Sequence, residues 1–102
     1  MKLVRDKIPE IIENSGGLCR YHIADEKEYR VSLYEKMKEE LGEFIDNPCV
    51  EEAADIYEVF LSILRLHKID ICDAILTASS KKEDKGGFLG RVVLEEVVNE
   101  NR

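Results

Sequence analysis

The stretch from Glu26 to His67, EKEYRVSLYEKMKEELGEFIDNPCVEEAADIYEVFLSILRLH, decides the fold. Within it Tyr29, Leu33, Met37, Leu41 and Phe44 recur at intervals of four, four, four and three, the spacing of one helix face. Asp25 followed by Glu28 has the form of a capping box, so an amphipathic helix is expected over Glu26–Asp46. Asn47 and Pro48 suit the N-cap and first position of a second helix running to His67. The chain then reverses sharply, and the two helices are expected to form an antiparallel hairpin.

Working outward, Ile8, Ile11 and Ile12 predict a short helix over Asp6–Asn14, stopped by Ser15-Gly16-Gly17. Residues 19–23, CRYHI, alternate apolar and polar side chains as a half-buried strand does. A third hairpin-flanking helix is expected over Asp70–Lys82, with Ile71, Ala74, Ile75 and Ala78 on one side. After Gly86-Gly87, RVVLEEVV at 91–98 reads as a final strand, pairing with CRYHI in a small two-stranded sheet. The expected class is mainly α, in an α+β arrangement.

The chain has 102 residues, enough for a single domain spanning 1–102. Its 22 acidic residues against 15 Lys plus Arg give a formal charge of -7, which argues against a protein that coats duplex nucleic acid. A small anionic substrate stays compatible, because a few lysines or metal ions reverse the local sign. No apolar run approaches the roughly 18 residues of a membrane span, and MKLVRDKIPE lacks the apolar stretch of a secretory signal, so a cytoplasmic protein without a membrane partner is expected. Cys19, Cys49 and Cys72 form no C-x-x-C or Cys/His cluster and read as free buried thiols.

The chemistry lies in the carboxylates of the hairpin. Advancing about 100° per residue from Leu33, Lys36, Glu40 and Glu43 fall on a ridge along the edge of the apolar stripe. In the second helix Glu51, Asp55, Glu58, Ser62 and Arg65 share a narrow polar stripe, while Glu52 lies in the apolar arc between Val59 and Ile63. With the turn centred between Asn47 and Pro48, Glu43 should face Glu52 and Glu40 should face Asp55. The two pairs are then about 4.5 Å apart along the axis, so four carboxylates converge. Such a group must be protonated, exposed or neutralised by cations, and its all-oxygen donor set favours Mg²⁺ or Mn²⁺ over zinc. A plainer reading is also open: Glu forms helices well, and Glu51 and Glu52 complement a helix N-terminus. Lys36 is either a salt-bridge partner of Glu40 or a contact to a metal-bound phosphate.

The strings KMKEELGEF and EEAADIYEV resemble the E-E-x-x-E and E-x-x-D motifs of MazG-type nucleoside triphosphate pyrophosphohydrolases, in the all-α superfamily that includes phosphoribosyl-ATP pyrophosphohydrolase. LVRDKIPEII and KGGFLGRVVL are similar to the two ends of a compact subgroup, so the resemblance covers nearly the whole chain. It implies metal ligands at Glu40, Glu43, Glu52 and Asp55, with Glu39 as the remaining acidic motif position and Lys36 as a basic position ahead of it. The connection between Glu43 and Glu52, eight residues, is shorter than in many members, and no substrate contact is carried over from it.

The activity implied is Mg²⁺-dependent hydrolysis of a ribo- or deoxynucleoside triphosphate between its α and β phosphates, as in nucleotide-pool cleansing. Glu39 is the candidate for orienting or deprotonating the water, the alternative being a structural residue of the solvated face. Lys82, Lys85 and Arg91, with Lys81, flank Gly86-Gly87 and are candidate phosphate contacts or ordinary solvated cations; no Walker loop is present. Arg5, Asp6 and Lys7 are made notable by the resemblance, which assigns them no role, and stay open to the active site or a subunit contact; His22 and His67 read as structural. Tyr34, Tyr57, Phe60 and Phe88 offer a base-stacking surface or core packing.

The alternatives are phosphoribosyl-ATP hydrolysis and, in another class, a noncatalytic acidic interaction module. The second helix is apolar around most of its circumference, so a homodimer or homotetramer is expected, with a second chain completing a four-helix bundle.

Overall fold

The computed structural model describes residues 1–98, among which there are four helices and no strand. They are α1 (Ile8–Asn14), α2 (Glu26–Asp46), α3 (Val50–Leu66) and α4 (Ile71–Lys85). The chain divides into two compact units, Met1–Asp70 and Ile71–Arg102.

In the first unit, α2 starts where local chemistry dictates. Asp25 has extended backbone angles, and its Oδ1 accepts the Glu28 N–H at 2.8 Å, satisfying one of the helix's free amides. The Glu28 carboxylate does not reach back to close a capping box; it lies 2.9 Å from His22 Nε2 instead. At the other end the Asn47 N–H donates to the Glu43 carbonyl at 3.0 Å, which makes Asn47 the C-cap of α2.

That bond corrects the expected start of the second helix. Asn47 still closes α2, so the N-cap of α3 falls to Cys49, without a side-chain cap, and α3 begins at Val50. The connector is Asn47–Cys49, and its midpoint lies half a residue from the expected one, less than the 1.5 Å rise of one residue. The hairpin forms as expected, with α2 packed on α3.

The end of α3 is a left-handed stop. Lys68 has φ 58°, and the Ile69 N–H reaches back to the Leu64 carbonyl at 2.8 Å. This is the Schellman arrangement, with lysine where glycine is usual. Tyr34 hydroxyl and His67 Nε2 are hydrogen-bonded, and their rings stack at 6.1 Å, tying the C-terminal end of α3 to the N-terminal half of α2.

The buried apolar side chains of the described residues are Leu33, Val59 and Leu64, all on the hairpin. Each contributes about 1.5–3 kcal/mol by burial, a small core for a chain that is 44% hydrophobic. Val31, Leu41 and Ile45 of α2 and Val50, Tyr57 and Phe60 of α3 remain exposed.

The expected two-stranded sheet is absent among the described residues. Residues 19–23 and 91–98 are irregular. The alternation of CRYHI does not produce a buried face: Cys19 is half-buried, but Tyr21 is 62% and Ile23 87% exposed. A single extended segment leaves its backbone groups without a ladder and gains nothing from the pattern. Residues 91–98 are likewise exposed throughout.

Helix α1 is two residues shorter at its start than expected, with Lys7 at the N-cap and Pro9 in the first turn, where a missing N–H is tolerated. In the second unit α4 runs to Lys85 rather than Lys82, and Gly86 follows it with φ 86°. Ile71 and Ala74 are half-buried in α4, whereas Ile75 and Leu76 are exposed. The cysteines are not buried as expected: Cys19 and Cys49 are half-buried and Cys72, on α4, is exposed. Among the described residues no helix is long and apolar enough to cross a membrane.

Candidate metal centre

Three carboxylates meet on the hairpin. Glu40 from α2 and Glu52 and Asp55 from α3 each offer an oxygen, and these oxygens lie within 4.8 Å of one another. The convergence follows from two periodicities. Glu52 and Asp55 are three apart on α3 and so project from adjacent turns, while the short connector sets Glu40 opposite them.

Burial separates this group from an ordinary acidic surface. Glu40 is only 6% exposed. Its Oε1 pairs with Lys36 Nζ at 3.2 Å, but its Oε2, like Glu52 Oε2, is buried with no hydrogen-bond partner among the protein atoms. An unpaired carboxylate oxygen inside a protein is costly, and two of them on residues of one close carboxylate group have the donor chemistry of a cation site. Oxygen donors alone, without histidine or thiolate, suit a hard divalent cation.

Glu43 is exposed and stands beside Glu52. Loss of hydration pushes the Glu52 carboxyl above its ordinary range, and the charges of Glu43, Asp55 and Glu40 push it further, together with a hydrogen bond to Glu43. Of the four expected ligands, three therefore form a close group, and the fourth adjoins it at the solvent side.

Cations ring the cluster. Lys36 Nζ lies 3.6 Å from Glu39 as well as 3.2 Å from Glu40, so it is the salt-bridge partner that its spacing suggested. Glu39 is half-buried and is also reached by Lys2 at 3.3 Å. Burial opposes its ionisation, yet the Lys2 hydrogen bond and the charges of Lys36 and Lys2 outweigh that and hold the carboxyl below its ordinary range. Arg5 Nη2 donates to Asp55 Oδ1 at 2.7 Å. Asp55 in turn holds the Arg5 guanidinium more firmly charged, against a smaller opposing effect of burial.

Of these site neighbours the sequence pattern gave Lys2 no role and left Arg5 open to the active site or a subunit contact. Their signal was faint: three basic residues among the first seven of an otherwise acidic chain. Lys82, Lys85 and Arg91 are exposed residues of the second unit, Arg91 with φ 58°. Tyr57 is 56% and Phe60 39% exposed, so neither is a buried core residue of the hairpin.

No family model matches the chain, and no match was found among curated proteins or solved structures.

Proposed function

We propose that this chain is a Mg²⁺-dependent nucleoside triphosphate pyrophosphohydrolase, cleaving between the α and β phosphates to give a monophosphate and pyrophosphate. The observation that carries the reading is the pair of partnerless buried oxygens, Glu40 Oε2 and Glu52 Oε2, within a three-carboxylate group that includes Asp55. The i, i+3 placement of these residues and their motif resemblance support the same assignment.

Glu40, Glu52 and Asp55 would hold the ion, with Glu43 completing the set from the solvent side; Mn²⁺ fits the same donors. When bound, Mg²⁺ supplies charge neutralisation at the phosphate oxygens and a more acidic attacking water. Glu39, held ionised by Lys2 and Lys36, is suited to orienting that water through a hydrogen bond rather than to taking its proton. Lys36, fixed between Glu39 and Glu40, holds the Glu40 side chain in place.

The exposed apolar side chains of α2 and α3 support a homodimer or homotetramer in which a second hairpin completes a four-helix bundle.

Calorimetric titration with Mg²⁺ and Mn²⁺, paired with turnover measurements on Glu43→Gln and Asp55→Asn, tests the reading. The amides preserve volume while weakening metal ligation, so turnover should fall by at least about a hundredfold with the helices intact. Near-normal turnover in both variants, or a wild-type chain that binds neither metal, would leave the cluster as part of a noncatalytic acidic surface.

A further inference from the structure

The segment before α1 lies against the carboxylate cluster from outside the hairpin. Arg5 spans fifty positions of sequence to reach Asp55, at 2.7 Å, and its side chain remains 57% exposed. Its backbone is fixed, because the Arg5 carbonyl accepts the Ile8 N–H at 3.0 Å in the turn that opens α1. The Cα is therefore held while the long side chain keeps rotational freedom. Lys2 of the same segment reaches Glu39, so two cations from one strap lie on the rim of the cluster.

We propose that Arg5 is the exchangeable cation of this site: it pairs with Asp55 until a divalent ion takes that carboxylate, then turns its guanidinium to the phosphate oxygens of the substrate. The inference rests on reading the cluster as a metal site for a nucleoside triphosphate. A divalent ion on Asp55 and a guanidinium on the same carboxylate repel each other, and a solvent-exposed ion pair is weak enough to exchange. The Asp55 bond uses one of the five N–H donors of the fork, and the planar guanidinium matches phosphate oxygens two at a time. Lys36 is poorly placed for this exchange, being only 17% exposed and held between Glu39 and Glu40.

The test is calorimetric titration of Mn²⁺ into the full chain, comparing wild type with Arg5→Gln and Arg5→Lys. It is followed by titration of a nonhydrolysable α,β-methylene nucleoside triphosphate at saturating Mn²⁺. Arg5→Gln should bind Mn²⁺ up to about fivefold more tightly, because the competing charge is gone. It should bind the analogue at least about tenfold more weakly, because the fork is gone. Arg5→Lys should keep the wild-type Mn²⁺ affinity yet fail to restore analogue binding, since an ammonium lacks the planar fork. Mn²⁺ binding to Arg5→Gln that is unchanged or weaker overturns the exchange and makes Arg5 an orienting partner of Asp55. Unchanged analogue affinity overturns the phosphate contact. A wild-type chain that binds no Mn²⁺ removes the metal reading and this inference together, whereas Mn²⁺ binding insensitive to Arg5 removes only the latter.

Discussion

Lys36 Nζ lies 3.2 Å from one oxygen of Glu40, while the other oxygen of that carboxylate is buried without a protein partner. The lysine is thus the one protein partner, among the described residues, of a glutamate buried inside the hairpin. Lys36→Met should destabilise the fold by about 3 kcal/mol, the lower end of what removing one member of a buried pair costs. Adding Glu40→Leu should recover most of that loss, since the buried polar group left without its partner is then removed too. Urea unfolding of the single and double variants measures both effects; a single-variant loss under about 0.5 kcal/mol would show the pair to be energetically idle.

Glu52 gives a pH signature of opposite character. Its carboxyl sits above the ordinary value of 4.5 in the folded chain, chiefly through lost hydration and then through Glu43, Asp55 and Glu40. The fold therefore favours the protonated form, and ionising Glu52 destabilises it progressively as pH rises from 4.5 through the raised value. With chelator present, Glu52→Gln should melt above wild type at neutral pH, and the two should converge well below pH 4.5. A gain that persists at acid pH would mean that the amide stabilises by packing, not by removing charge. Glu39, whose carboxyl is lowered, acts the other way: its stabilisation is present above 4.5 and lost as pH falls through its depressed value.

The left-handed lysine at the end of α3 offers a stability test remote from the cluster. Lys68 at φ 58° pays for a conformation that glycine adopts without steric strain. Lys68→Gly should raise stability by about 0.5 kcal/mol, the relieved strain being partly offset by the more flexible unfolded chain. Thermal and urea unfolding would read the gain, and metal affinity should not change. A loss of stability would show that the lysine side chain makes a compensating contact.

Assembly has its own measurement. With three apolar side chains buried and both long helices showing exposed apolar residues, light scattering at micromolar concentration should give a dimer or tetramer of the 11.7 kDa chain. Tyr57→Glu, which places a charge on an exposed part of α3, should lower that mass. A monomeric, fully active wild type would require a site built from one chain.

The legible parts of this fold were those fixed by local chemistry. Asp25 caps α2 through a bond to an amide three residues away, and the apolar spacing from Tyr29 to Phe44 needs no distant partner to be read. The meeting of Glu40, Glu52 and Asp55 was legible for the same reason, because helical period and a short connector together fix their register. The start of α3 was misread by competition: Asn47 was as good a C-cap for α2 as an N-cap for α3, and the Glu43 carbonyl took it. CRYHI was misread because strand formation depends on a pairing segment that no local window contains. For Arg5 an active-site role and a subunit contact stay open in the sequence, because its approach to Asp55 is set by how the segment before α1 lies on the hairpin, and no periodicity encodes that.

The most direct measurement of the central claim is product analysis. The chain is incubated with Mg²⁺ and a panel of ribo- and deoxynucleoside triphosphates, with pyrophosphate, inorganic phosphate and nucleotide products quantified separately. Equimolar monophosphate and pyrophosphate, abolished by chelator and by Asp55→Asn, is the expected result. Release of inorganic phosphate with a diphosphate product, or no Mg²⁺-dependent turnover of any triphosphate, would contradict it.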